Sequence, residues 1–411
     1  MPPRAATSPK RRSSPSPPIS RGTAPNVVWT CPTPTFTPQH RWSTKNNAIC
    51  GICLDAWVEL LYRYRKHVEW RTYWFRVLFV TFIAAFNTCL AAVEWLLYSR
   101  AVKKQVVHPR PLFVLGHPRT GTTLLHNLLS KDVENFGFCS TFCAGFPSSF
   151  LWFEPFKWML AGMVDKKRPM DDMELSLDVP QEDELAVSVL SAGISPYMPL
   201  TFMTAEPSFR PFFTFKDVQP HQRQRWIDCF SHMLRKLSYR CGGKRLLLKS
   251  PVHTARVKLL LELYPDAQFI YIHRHPEQVY QSACHMANTV YWYMYLATPT
   301  DEQIHEFILN QFVVLWREYD AARKLIPKGN LVEVAYSDLA KDPVETIARI
   351  YSKLSIDGFD ERMRARVVAA CERPQVKGHK VNKLGKLPDD LKAHVAERWA
   401  DYCEAWGYEW K

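Results

Sequence analysis

The chain has 411 residues, 47% of them apolar, enough for one large α/β domain or two smaller ones. Its net charge is +13, but residues 1–110 carry 16 Lys/Arg against 4 Asp/Glu, and residues 111–411 carry 37 against 36. The basic excess therefore belongs to the front of the chain, and nothing calls for a nucleic-acid-binding body, which needs a clustered basic face. Eleven Cys scattered through a chain of this size exclude a small disulfide scaffold.

Residues 1–45 are rich in Pro, Ser, Thr and Arg, and the first acidic residue is Asp55. This composition predicts a disordered tail. A transit peptide shares the composition, but no amphipathic Arg-rich helix is present. Cys50 and Cys53 form a CxxC with no second CxxC and no spaced His pair, so they read as incidental thiols and no metal is expected. Residues 55–100 read as a membrane-associated helical segment. Eighteen of the 22 residues from Val77 to Tyr98 are apolar, long enough to cross a bilayer core of about 30 Å. Asn87 and Glu94 lie seven apart and so share one helical face. That seam suits a helix lying in the membrane interface or packed on the protein, so single span 77–98, in-plane helix and packed helix all remain open. The expected location is membrane-associated, at the Golgi or another endomembrane, with an organelle or the cytosol as alternatives.

Pro111 to Leu115 reads as a short buried strand. Gly116 and Gly121 bracket a tight loop, and Thr122 to Leu129 reads as a helix with Leu124, Leu125, Leu128 and Leu129 on one face. Strand, loop and helix N-terminus make an anion site, because backbone N–H groups and the helix dipole point at the ligand. The glycine spacing matches a nucleoside-triphosphate P-loop, but Thr122 stands where that loop needs Lys. The cation sits earlier, at Arg119.

Pro118-Arg119-Thr120-Gly121-Thr122-Thr123 resembles the 5′-phosphosulfate loop of the sulfotransferase superfamily, whose donor is 3′-phosphoadenosine 5′-phosphosulfate (PAPS). The resemblance, closest to the branch called sulfotransferase family 3, covers residues 111 to 410. It implies that Arg119 meets the leaving-group oxygen and that Thr120, Gly121, Thr122 and Thr123 hold the 5′-phosphate, without a metal. The stretch Pro180-Gln181-Glu182-Asp183-Glu184 is similar to a P-x-E-D-E segment that opens a helix in that family. Phe146, Phe150, Trp152, Phe153, Phe156 and Trp158 read as core, or as the wall of an apolar acceptor pocket.

Leu246 to Lys249 reads as a strand ending in the polar cluster Lys249-Ser250-Pro251-Val252-His253. Lys249 suits the sulfuryl group or the acceptor, and Ser250 and His253 suit orienting the acceptor. The same residues also read as a helix start, with Ser250 as N-cap and Pro251 at its first position. Gln268 to Ile272 reads as another strand. Arg274 follows it, with Ser282 eight residues on, and the resemblance gives this pair the 3′-phosphate. An Arg fork with a hydroxyl donor suits a phosphate monoester. Lys377, His379 and Lys380 resemble, loosely, a basic segment that closes over the nucleotide; Lys380 is the contact taken from it.

Some branches place a Glu about twenty residues after the loop, and this chain has none there. The candidates for the base are Glu184, then His253, with Glu182 and His117 behind them. The expected architecture is a P-loop-like three-layer α/β fold with a central parallel sheet and helical inserts, preceded by a hydrophobic helix, the sulfotransferase domain being 111–411. The expected reaction is in-line sulfuryl transfer to a hydroxyl or amine of a small-molecule, glycan or lipid acceptor. A P-loop kinase or NTPase and a non-catalytic nucleotide-binding membrane protein are the alternatives.

Overall fold

The computed structural model describes residues 33–372, apart from 164, 166, 172 and 174, together with 387–410. Lys377, His379 and Lys380 lie outside the described residues.

Five strands form one parallel sheet: β1 (Leu112–Leu115), β2 (Phe136–Phe138), β3 (Arg245–Lys249), β4 (Gln268–His273) and β5 (Leu331–Ala335), in the order β2-β3-β1-β4-β5. Val114 stands opposite both Lys249 of β3 and Ile270 of β4. The three central strands therefore end at the same edge of the sheet, β4 running two residues beyond the partner of Leu115. The β3-to-β4 crossover passes over β1, and ligands of open α/β sheets sit outside strand ends at such a reversal.

Side chains alternate along the strands and fill two cores. Phe113, Leu115, Leu246, Leu248, Phe269 and Tyr271 join the larger core, while Leu112, Val114, Leu247, Ile270 and Ile272 join the other. Burial on both faces explains why each strand reads as an unbroken apolar run. The expected three layers are present. The smaller core is closed by the post-loop helix and by helices Pro343–Leu354 and Glu361–Glu372. The larger core takes the inserted helices, Pro220–Arg240 and Asp301–Ala322 among them.

At the front, α1 (Leu54–Arg63) packs on α2 (Trp70–Lys104), where Trp57 Nε1 donates to Thr81 Oγ1 at 2.9 Å. The 35-residue α2 is the described helix long and apolar enough to cross a membrane. One of its faces, with Arg76, Val80, Ala84, Asn87, Leu90 and Glu94, is buried against the body. Asn87 Nδ2 donates to the carbonyls of Cys50 and Ile52 at 2.6 and 3.0 Å. Glu94 pairs with buried Lys236 and accepts from Leu151 N at 2.7 Å. The polar seam thus faces protein. The opposite face leaves Phe82, Trp95, Leu96 and Leu97 exposed, each by 60% or more.

Residues 33–45, read in the sequence as part of a disordered tail, run as an irregular strap along the body. Phe36 is buried, and Phe36 N donates to Asp301 Oδ1 at 3.0 Å. Cys50 is a free thiol that burial pushes up to about 11.

Candidate active site

The loop after β1 turns through left-handed backbone at three residues: Gly116 (φ 143°), Arg119 (φ 77°) and Gly121 (φ 102°). A Cβ on Gly116 would stand 2.6 Å from the Ile272 carbonyl, so only glycine fits. Thr254 clamps the same glycine, accepting from its N–H at 2.8 Å and donating to its carbonyl at 3.2 Å. For Arg119 the left-handed region costs about 1–3 kcal/mol, and such strain collects at functional sites. What holds it there is visible. Arg119 Nε donates to Ser282 Oγ at 2.9 Å, its Nη1 to Asp171 Oδ2 at 3.0 Å, and its carbonyl accepts from Arg274 Nη1 at 3.1 Å.

The structure therefore brings Arg119 of the loop together with Arg274 and Ser282 of the β4–helix junction. Arg274 lies over the Tyr336 ring at 4.2 Å, and the Tyr402 hydroxyl accepts from its N–H and donates to its carbonyl. Gly121 opens α3 (Thr122–Leu129), as expected. Thr122 is buried and Thr123 half-buried. The Thr120 hydroxyl is 1% exposed and donates to the His117 carbonyl at 2.8 Å, so it braces the loop instead of facing outward as a donor. His117 is buried against Phe312, and burial pushes its imidazole down to about 3.

Asp171 holds this cluster from outside. Burial favours its neutral form, but the charges of Arg168 and Arg119 outweigh it and keep the carboxyl below the ordinary carboxylate range.

Three consecutive carboxylates meet the end of β3. Glu182 precedes the helix Asp183–Leu190. Lys249 Nζ, 2% exposed, donates to Glu182 Oε1 at 2.8 Å, and the Tyr197 hydroxyl donates to Glu182 Oε2 at 2.5 Å. Burial lowers the Lys249 ammonium, with Glu182 opposing the shift. Asp183 bonds His253 Nε2 at 2.5 Å and Ser250 Oγ at 3.1 Å. Burial favours the neutral Asp183 carboxyl, yet the His253 contacts outweigh it and leave it lowered.

Glu184 is fully buried. It takes a two-pronged ion pair from Arg256 at 2.6 and 3.1 Å and accepts from Ser195 Oγ at 2.6 Å. This corrects the ranking of bases. A fully buried carboxylate that is absent from the walls of the cavity beside the loop is out of an acceptor's reach. His253 is also fully buried, edge-on to Phe113 and Phe230, and so faces the core instead of an acceptor. Pro251 does start a short 3₁₀ turn, Pro251–Arg256. Ser250 stands at its N-cap position, as expected, but its hydroxyl makes no capping bond there and accepts from Glu184 N at 2.9 Å instead.

Glu182 alone of the three carboxylates lines a cavity of about 220 Å³, with Pro118 of the loop, Arg168, Leu185, Tyr197 and Phe307 among its other walls. Tyr197, Asp171, Thr254 and Tyr402 are the partners that sequence reasoning missed. No local signal marks Tyr197 or Tyr402.

Sheet order, loop and converging arginines define an α/β transferase that acts on a phosphate-bearing donor. The chain belongs to the sulfotransferase family, whose model matches residues 111–361. It is 33% identical over 365 residues to proteins named omega-hydroxy-beta-dihydromenaquinone-9 sulfotransferase Stf3 from Mycobacterium bovis and Mycobacterium tuberculosis, covering 87% of this chain and 90% of theirs. Among solved structures it resembles sulfotransferase STF1 from Mycobacterium tuberculosis (TM-score 0.58, 21% identity, 84% of this chain and 92% of that one). It also resembles STF9 from Mycobacterium avium (TM-score 0.58, 18% identity, 87% and 97%). These two likenesses concern the fold. The chain is a PAPS-dependent sulfotransferase, moving a sulfuryl group to a hydroxyl acceptor. The relatives are bacterial and give the Golgi reading no support.

Proposed function

We propose that the acceptor is the hydroxyl of an apolar, lipid-like molecule and that Glu182 removes its proton. The observation that carries this is the placement of Glu182: it borders a largely apolar cavity beside Pro118, with Lys249 and Tyr197 fixing both carboxylate oxygens. The curated relatives are named for a hydroxylated menaquinone, a molecule of the same class.

PAPS supplies the sulfuryl group and a bisphosphate leaving group when bound. The residues fit it. Arg119, with the backbone N–H groups of Gly121 to Thr123, suits the 5′-phosphosulfate, and Arg274 with Ser282 suits the 3′-phosphate. Asp171 fills the anion requirement of Arg119 in this structure, the interaction a phosphosulfate would replace. The acceptor oxygen bonds to sulfur as the bond between sulfur and the phosphate oxygen breaks. The electron pair leaves with adenosine 3′,5′-bisphosphate, and the proton passes to Glu182. Lys249 holds the carboxylate aimed until then.

Glu182→Gln is expected to lower transfer from radiolabelled PAPS by about 10²–10⁴-fold, the usual worth of a positioned base, with adenosine 3′,5′-bisphosphate binding unchanged. Wild-type turnover in this variant would remove Glu182 from the role.

The exposed face of α2, with Arg71, Arg100, Lys103 and Lys104 near its ends, supports docking in the plane of a membrane surface. A span would strip Asn87 and Glu94 from their partners in the body.

A further inference from the structure

A second cavity, of about 150 Å³, adjoins the one bordered by Glu182. The two share Asn46, Ala48, Leu175, Gln181 and Leu185 as walls. Its far side is made by Ala144, Gly145 and Phe146 at the end of the short helix Thr141–Gly145, and by Leu160. The strap residues from Thr44 to Cys50 roof it. Apolar area outweighs polar area in its lining, so it offers burial and little hydrogen bonding.

Leu160 belongs to the segment Glu154–Met163, which leaves Phe156, Trp158 and Met159 exposed by 44%, 70% and 60%. That segment continues into the α2 surface, because Phe153 lies 6.0 Å from Phe156 and 6.2 Å from Phe86. The second cavity thus lies between the candidate reaction centre and the exposed apolar surface.

We infer that this second cavity is a chain-binding subsite: it takes the apolar tail of the acceptor while the hydroxyl stands at Glu182. The inference rests on the hydroxyl-amphiphile reading above and adds the tail's route and a length preference. An acceptor too short to pass Gln181 and Leu185 gains nothing from the subsite. A longer one buries its chain between Ala48, Ala144 and Leu177 and leaves toward the apolar surface.

Gly145 allows a clean test. A Cβ placed there meets no atom within 4 Å, and the residue is not in the left-handed region, so a side chain enters open space at the cavity wall. Wild-type protein, Gly145→Leu and Ala144→Leu, both at positions that line only the second cavity, would each be assayed with PAPS and with geraniol, farnesol and geranylgeraniol as acceptors. Thermal shift with adenosine 3′,5′-bisphosphate would report folding and donor binding. For the wild type, KM is expected to fall along the series. In either variant KM for geranylgeraniol is expected to rise about tenfold or more, a pocket contact of one or two methylenes being worth that much, with KM for geraniol held. Equal wild-type KM values along the series, or folded variants that discriminate chain length as the wild type does, would overturn the subsite and leave the Glu182 reading standing. Absence of product from all three alcohols in wild-type protein that binds the bisphosphate would overturn the hydroxyl-amphiphile reading, and the subsite with it.

Discussion

Glu182, Asp183 and Glu184 follow one another in the chain and end in three different environments. The helix begins between the first and second of them, and each further residue turns about 100° around its axis. Glu182 points to the cavity, Asp183 to His253, and Glu184 to Arg256. The short run of acids was legible in the sequence, but not which of them turns outward, because that depends on where the helix starts. The partners that decide it, Tyr197 and Arg256, come from distant segments. Glu184→Gln would leave the Arg256 charge buried without a counter-ion, between Trp226 and Phe215 at 4.4 and 4.9 Å. Breaking one side of a buried pair costs about 3–5 kcal/mol. Urea unfolding should show a loss of that size for Glu184→Gln and a smaller one for Glu182→Gln, because buried Lys249 can release its proton once its partner is neutral and Arg256 cannot. Equal losses in the two variants would contradict the division of labour between stability and chemistry.

The same lesson recurs along α2. Its apolar run was plain from composition, yet composition does not say what the helix lies against. The spacing of Arg76, Val80, Ala84, Asn87, Leu90 and Glu94 by three or four residues is one helical face, and tertiary contacts turn that face inward. Lys236 and the Cys50 and Ile52 carbonyls supply the polar partners. The outer face keeps Phe82, Trp95 and Leu96 more than 70% exposed. Each side chain of this kind gains about 1.5–3 kcal/mol when fully removed from water. The combined variant Phe82→Ser, Trp95→Ser, Leu96→Ser is therefore expected to weaken sedimentation with phosphatidylglycerol-containing vesicles by at least about tenfold. Adenosine 3′,5′-bisphosphate binding should not change, since none of the three packs in the core. Unaltered vesicle binding would rule out this face as the docking surface.

At the scale of the whole molecule, the strand–loop–helix at residues 112–129 and the strands ending at Lys249 and His273 were readable because each is set by its own local apolar run and glycine pattern. The sheet order and the pairing of Arg274 with the Arg119 carbonyl come from contacts across more than a hundred residues. The aromatic packing of the C-terminal helices is equally non-local: Trp399 stacks on Phe312 at 3.8 Å, and Trp406 on His273 at 3.7 Å. This packing buries titratable groups and gives the fold a definite pH response. Burial pushes His117 and His126 down to about 3, and His273 and His305 down to about 4, from an ordinary value of 6.5. Each is neutral in the folded chain at pH values where the unfolded chain is protonated. Their contribution is complete above 6.5 and is lost progressively as pH falls toward 4 and 3. Each proton taken up only on unfolding removes about 1.4 kcal/mol per pH unit, so four together give a loss of several kcal/mol by about pH 5. The urea midpoint should fall steeply between about pH 6.5 and pH 5, and calorimetry in buffers of different ionisation enthalpy should show unfolding to take up several protons there. A flat midpoint across that interval would mean that the four imidazoles are not held neutral by the packing, and the account of the core around the donor loop would need to change.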